Sequence, residues 1–113
     1  MDNVQNISTN LETVQAAANT QVQLNCITSY LKFLEAETFW IFQGEKLNET
    51  DSRYKTETYK LNSSELTREE QMSLWISFIS APDFGRYTCG LITSIGLSSA
   101  TIVLAQMKSE TGR

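Results

Sequence analysis

Apolar and polar residues alternate along most of this chain, and a period of two is the pattern of a strand that buries one of its faces. Val22, Leu24 and Cys26 alternate with Gln21, Gln23 and Asn25. Leu74 and Ile76 alternate with Ser73, Trp75 and Ser77. Tyr87, Cys89 and Leu91 alternate with Arg86, Thr88 and Gly90, and Ala100, Ile102 and Leu104 with Thr101 and Val103. Residues 38–43 are dense in aromatic and β-branched side chains and end at Gly44, while 54–61 alternate more weakly. With an N-terminal piece around 11–17, this predicts six or seven strands separated by polar turns, an all-β sandwich or barrel. No strand–helix alternation appears, which argues against a parallel sheet. The stretch 64–71, with Thr67, Arg68, Glu69 and Glu70, lacks a full apolar face and reads as a polar loop with at most one helical turn.

At 113 residues the chain is long enough for one core and too short for two. Its net charge of −4 makes it a poor match for phosphate backbones, so neither nucleic acid nor an anionic membrane surface is expected as a partner. No run of eighteen apolar residues exists, so direct membrane insertion is not expected either. Any secretion signal or membrane anchor of a parent protein would lie outside this segment. Histidine is absent, which removes the Ser-His-Asp and Cys-His nucleophile pairs and the commonest metal ligand. The two cysteines, Cys26 and Cys89, cannot complete a structural zinc site without further ligands. They fit either one disulfide or a pair of free thiols. No catalytic residue, metal or cofactor is therefore expected, and the chain does not read as an enzyme.

The sharpest local signal is Asp83-Phe84-Gly85-Arg86-Tyr87-Thr88-Cys89. Gly85 stands where the chain must turn sharply into a strand, and Tyr87, Cys89 and Leu91 share one strand face. Upstream, Leu74, Ile76 and Ile79 precede the motif, and Cys26 and Trp40 precede those. In these residues the chain resembles the immunoglobulin superfamily over about 11–105. The resemblance implies an antiparallel two-sheet sandwich with Greek-key connections and seven to nine strands. It also implies that Cys26 and Cys89 form one inter-sheet disulfide, with Trp40 packed on it. Tyr87 is then the tyrosine-corner residue, and Asp83 pairs with an arginine, either Arg53 or Arg68. Closing so long a loop stabilises the fold by about 4 kcal/mol on a chain-entropy model.

Gly96 and the run Phe39-Trp40-Ile41-Phe42-Gln43-Gly44 are similar to intermediate-set, neural cell-adhesion-type domains. Three features depart from that pattern. Trp40 follows Cys26 at a slightly long spacing, Ala18 stands where glycine is common, and 47–73 is long enough to leave a variable-type domain with extra strands open. Residues 1–10 read as a tail or first strand, 11–106 as the domain, and 107–113 as a linker or tag remnant.

Three sequons begin at Asn6, Asn48 and Asn62, all expected in loops or the N-terminal tail, and they favour an extracellular, cell-surface setting. If Trp40 points inward, Phe39 and Ile41 point out of the same sheet, and Ile92, Ile95 and Leu97 fall on the adjacent hairpin. Such an apolar patch fits an interaction site. Trp75 is expected to face outward on the other sheet. The function expected is protein recognition by a cell-surface adhesion module, binding a second copy as a weak homodimer or another surface protein. A ligand-binding or spacer module of a signalling receptor, or an intracellular muscle-type structural domain, are the alternatives.

Overall fold

A computed structural model describes residues 5–48 and 50–108; the rest of the predicted 107–113 linker and the first four residues lie outside the described part. Among the described residues there are nine strands: β1 (Asn6–Ser8), β2 (Thr13–Ala16), β3 (Val22–Leu31), β4 (Glu37–Phe42), β5 (Glu45–Lys46), β6 (Tyr54–Ser63), β7 (Thr67–Ile76), β8 (Gly85–Thr93) and β9 (Gly96–Gln106). They form a four-stranded sheet in the order β1-β3-β7-β6 and a five-stranded sheet in the order β2-β9-β8-β4-β5. The all-β sandwich expected from the alternation is the fold observed.

The inward half of each alternating run fills the space between the sheets. Leu24, Leu74, Ile76, Leu91, Ile102 and Leu104 are at most 1% exposed, and each contributes about 1.5–3 kcal/mol by leaving water. Cys26 and Cys89 are bonded across the two sheets with their Cα atoms 6.6 Å apart, closing a separation of 63 residues. Trp40 lies opposite Cys89 on the neighbouring strand and is itself buried.

Two elements differ from the sequence expectation. The stretch 64–71 is no polar loop: β6 and β7 are two ten-residue strands joined by a tight turn at Ser64–Leu66. The Ser64 hydroxyl accepts from the Thr67 N–H at 3.0 Å, and the Ser64 N–H donates to the Thr67 carbonyl at 2.9 Å. The period of two is invisible there because inward positions carry charge. Arg68 and Glu70 pair at 3.2 Å, and the Tyr30 hydroxyl donates to Glu70 at 3.1 Å. This long hairpin takes up most of the extra length between 47 and 73, and β5 is only two residues long.

The second difference is one parallel pair in an otherwise antiparallel fold. β1 runs antiparallel to β3, then the chain crosses at 9–12 to the other sheet without reversing, so β2 lies parallel to β9.

Candidate recognition face

The corner at the start of β8 is structural. A single 3-10 turn, Ala81–Asp83, precedes it, with Pro82 inside the turn and outside any ladder. Asp83 is 3% exposed. Its carboxylate accepts a forked pair of bonds from Arg53, at 2.8 and 3.0 Å, and a third from the Ser80 N–H at 2.8 Å. Arg53, not Arg68, is therefore the partner. These guanidinium bonds hold the carboxyl below its usual range against the opposing effect of burial. The Tyr87 hydroxyl donates to the Asp83 carbonyl at 2.6 Å, and burial pushes that hydroxyl well above its ordinary pKa. Gly85 has φ +143°, and a side chain there would also press on the Phe42 ring, which stacks on Tyr87 at 4.2 Å. The Asp83 carboxylate, the Arg53 fork and the Tyr87 hydroxyl are thus engaged in holding the fold. Among the described residues no cluster of three or more His, Cys, Asp or Glu could hold a metal, and no helix is long and apolar enough to cross a membrane.

The outer face of the five-stranded sheet is different. Registers place Glu37 beside Ile92, Phe39 beside Gly90 and Ile41 beside Thr88, with Leu97 beside Ile92 on the far strand. All of them alternate with the buried Trp40, Cys89 and Leu91, so they point outward. Ile92 is 40% exposed, Ile95 51% and Leu97 65%. Phe39 and Ile41 are half-buried. For Phe39 the cause is close contact: its ring lies over Gly90, where an added Cβ would fall 2.4 Å from it. Lys46 caps the same ring at 5.0 Å and reaches Glu37 at 3.6 Å. The five residues named from sequence thus lie on one sheet and its end hairpin, with Phe39 fixed in the middle and Ile95 at the tip.

Phe33 and Leu34 were not foreseen. Together with Ala36 and Ile92 they border a cleft of about 590 Å³ at the hairpin end of the face, with Glu35 and Glu37 on its rim. Phe33 is 74% exposed. It sits in the β3–β4 loop, where no alternation exists to flag it. A second groove of about 480 Å³ opens at the opposite end, walled by Ile41, Phe42, Phe84 and Arg86.

The outer face of the four-stranded sheet mixes amides and hydroxyls with Ile27, Tyr59 and Trp75. Asn25 Oδ1 accepts from the Ser73 hydroxyl at 2.7 Å and from Gln23 at 2.9 Å. Trp75 does point outward there, half-buried under Lys55 at 5.4 Å. The sequon asparagines are all exposed, but only Asn48 is in a loop. Asn6 lies on β1 and Asn62 on β6, the two edges of the four-stranded sheet. Edge positions satisfy the alternating pattern weakly, which is why Asn62 reads as loop and Asn6 as tail or first strand. Asn48 Oδ1 accepts from the Thr50 N–H at 3.0 Å and from its hydroxyl at 2.6 Å.

No protein-family model matches the chain, and no curated protein matches it. Solved structures do. A complex of Dpr2 Ig1-Ig2 with DIP-Theta Ig1-Ig3 superposes with a TM-score of 0.78 at 21% identity, covering 91% of this chain and 32% of that one. The M1 domain of titin gives 0.68 at 14% identity over 92% of this chain and 95% of that one. The twitchin kinase region of C. elegans gives 0.68 at 14% identity over 92% of this chain and 17% of that one. This chain has the immunoglobulin fold. It spans about a third of the Dpr2 complex chain and nearly all of the single titin domain.

Proposed function

We propose that this domain is an extracellular protein-recognition module of the cell-adhesion kind, and that it binds through the outer face of its five-stranded sheet. The observation that carries the reading is the asymmetry of the two faces. One presents Phe39, Ile41, Ile92 and Leu97 in register, with Phe33 and Ile95 at its end. The other presents an amide and hydroxyl network, with Trp75 half-buried under Lys55 and Tyr59 at its edge strand. Depletion of charge with aromatic and aliphatic enrichment is what the centre of an interface needs. Glycans on Asn6, Asn48 and Asn62 would leave that apolar face bare, since none of the three lies on it. The disulfide and the sequons together fit an oxidising, glycosylating compartment. The similarity to a complex of Dpr2 Ig1-Ig2 with DIP-Theta Ig1-Ig3 supports recognition of one protein by another.

An intracellular structural role is the second reading, favoured by the full-length superposition on titin M1. The state of the protein isolated from its native source separates the two: glycan on Asn48 or Asn62, with Cys26–Cys89 oxidised, rejects the intracellular reading. The recognition reading is tested by staining cells with a fluorescent, clustered form of the domain. Leu97→Glu and Ile41→Glu should abolish staining while leaving the melting temperature within a few degrees. Staining that both variants leave unchanged would show that the domain does not bind through this face.

A further inference from the structure

One level of the four-stranded sheet gathers two of the three sequon asparagines. The register sets Asn6 on β1, Ser29 on β3, Glu69 on β7 and Asn62 on β6 side by side in a single row. Asn6 and Ser29 alternate with the buried Ile7, Thr28 and Tyr30, and Glu69 lies between the inward Arg68 and Glu70, so the row points out of the sandwich. Three strand spacings of about 4.8 Å put the two asparagines about 14 Å apart, one at each edge of the sheet. The next row carries Ile27, half-buried, and Tyr59, 40% exposed.

Beside Asn62 a polar cleft of about 140 Å³ opens over Glu69 toward the β6–β7 turn, lined otherwise by Ser29, Ser63, Ser64 and Thr67. The Glu69 carboxylate makes no ion pair among the described residues, so its oxygens are open to donors. The Asn62 side-chain oxygen accepts from the Ser63 N–H at 2.8 Å, which turns the amide nitrogen, the atom that carries an N-linked sugar, away from its own backbone. Four hydroxyls and one carboxylate suit a ligand rich in hydroxyl groups, because a carboxylate only accepts and a hydroxyl both donates and accepts.

We infer that Asn62 carries an N-linked glycan whose first sugar lies in this cleft and donates to Glu69, and that this glycan and one on Asn6 close the outer face of the four-stranded sheet to protein partners. The inference rests on the secretory setting proposed above and adds a place for the carbohydrate and a consequence. Two bulky glycans rooted at opposite ends of one row meet over the strands between them, above Ile27 and Tyr59. Protein contact is then confined to the side of the five-stranded sheet.

Mass spectrometry of peptides from the protein isolated from its native source reads the occupancy. An unmodified Asn62 overturns the whole inference, and an unmodified Asn6 overturns the closing of the face. Hydroxyl-radical oxidation then compares that protein with the same sample trimmed enzymatically to the first sugar. Tyr59 should be oxidised about threefold more slowly before trimming, with Phe33, outside this face, unchanged; equal rates at Tyr59 overturn the closing of the face. The cleft is tested in the Asn6→Gln/Asn48→Gln chain, secreted from eukaryotic cells and trimmed to the first sugar, beside the same chain made without glycan and with Cys26–Cys89 oxidised. The sugar-bearing form should melt about 3 °C higher, the effect of roughly one net hydrogen bond, and Glu69→Ala should remove that gain. No gain, or a gain that Glu69→Ala leaves intact, overturns the place of the sugar in the cleft. None of these outcomes touches the recognition face, which stands or falls on the staining that Ile41→Glu and Leu97→Glu abolish.

Discussion

Replacing Arg53 with methionine removes one cation from a buried carboxylate and keeps most of the side-chain volume. Asp83 is 3% exposed and accepts three short bonds, two from the Arg53 fork and one from the Ser80 N–H. Taking away the partner of a fully buried charge costs about 3–5 kcal/mol. Here the cost is smaller, because the Arg53 side chain is 32% exposed, so water reaches the pair, and the Ser80 bond survives. We expect about 2–3 kcal/mol at neutral pH, measured by urea unfolding. The pH dependence is the sharper signature. In the unmodified chain the carboxyl titrates below its unfolded value of about 3.9, so its stabilisation is complete above that value and is lost as pH falls through the folded one. Without the guanidinium the buried carboxyl takes up its proton at higher pH, which relieves the variant first. The difference between the two proteins should therefore shrink on acidification. A loss below about 1 kcal/mol at pH 7, or a difference that stays constant down to pH 3, would refute the role given to this pair.

Other substitutions probe the frame and the face separately. Trp40→Ala should cost about 3–5 kcal/mol in denaturant unfolding, because it empties space beside the disulfide; a loss below about 1 kcal/mol would mean that Trp40 does not fill the core. Tyr87→Phe should cost about 1–2 kcal/mol, since the buried Asp83 carbonyl loses its donor, and thermal unfolding reads this directly. Gly90→Ala should push the Phe39 ring off the sheet, with a cost of about 1–2 kcal/mol and a changed chemical shift for the Phe39 ring protons. Leu97→Glu should change stability by less than about 0.5 kcal/mol, because the side chain is 65% exposed.

The sandwich was legible because its core residues sit in strands with one buried face. Val22, Leu24 and Cys26 on β3 and Tyr87, Cys89 and Leu91 on β8 carry a clean alternation, and the structure buries all six. The β6–β7 hairpin was not legible because its inward positions near the turn, Glu70 and Arg68, carry charges that lie 3.2 Å apart, with the Tyr30 hydroxyl donating to Glu70, instead of apolar side chains. A charge that finds its partner on another strand looks, in sequence, the same as a charge in a loop. The crossing of the first strand between sheets was hidden for a related reason: it depends on which edge is free, and no local pattern records that. On the candidate face, the period of two located Phe39, Ile41, Ile92 and Leu97. Phe33 belongs to a loop and becomes part of the surface only through the approach of the β8–β9 hairpin.

The two sheets meet the same need in different ways, and the difference bears on function. A sheet edge offers unpaired backbone groups to any other strand, and β6 exposes ten residues of such an edge. It carries Lys55, Glu57 and Lys60, a register shift between Lys60 and Asn62, and a sequon at Asn62. Charges, bulges and glycans at an edge all oppose strand addition. On the five-stranded sheet the exposure is of the opposite type: its apolar side chains lie on the face, while the edge strand β5 is only two residues long. Backbone-mediated pairing is thus discouraged at the long edge, and side-chain contact is left available on the opposite face. A molecule arranged in this way limits indiscriminate strand addition while keeping a patch of fixed shape. Phe39 is held over Gly90 and under Lys46 before any partner arrives, so little side-chain freedom remains to be lost on binding.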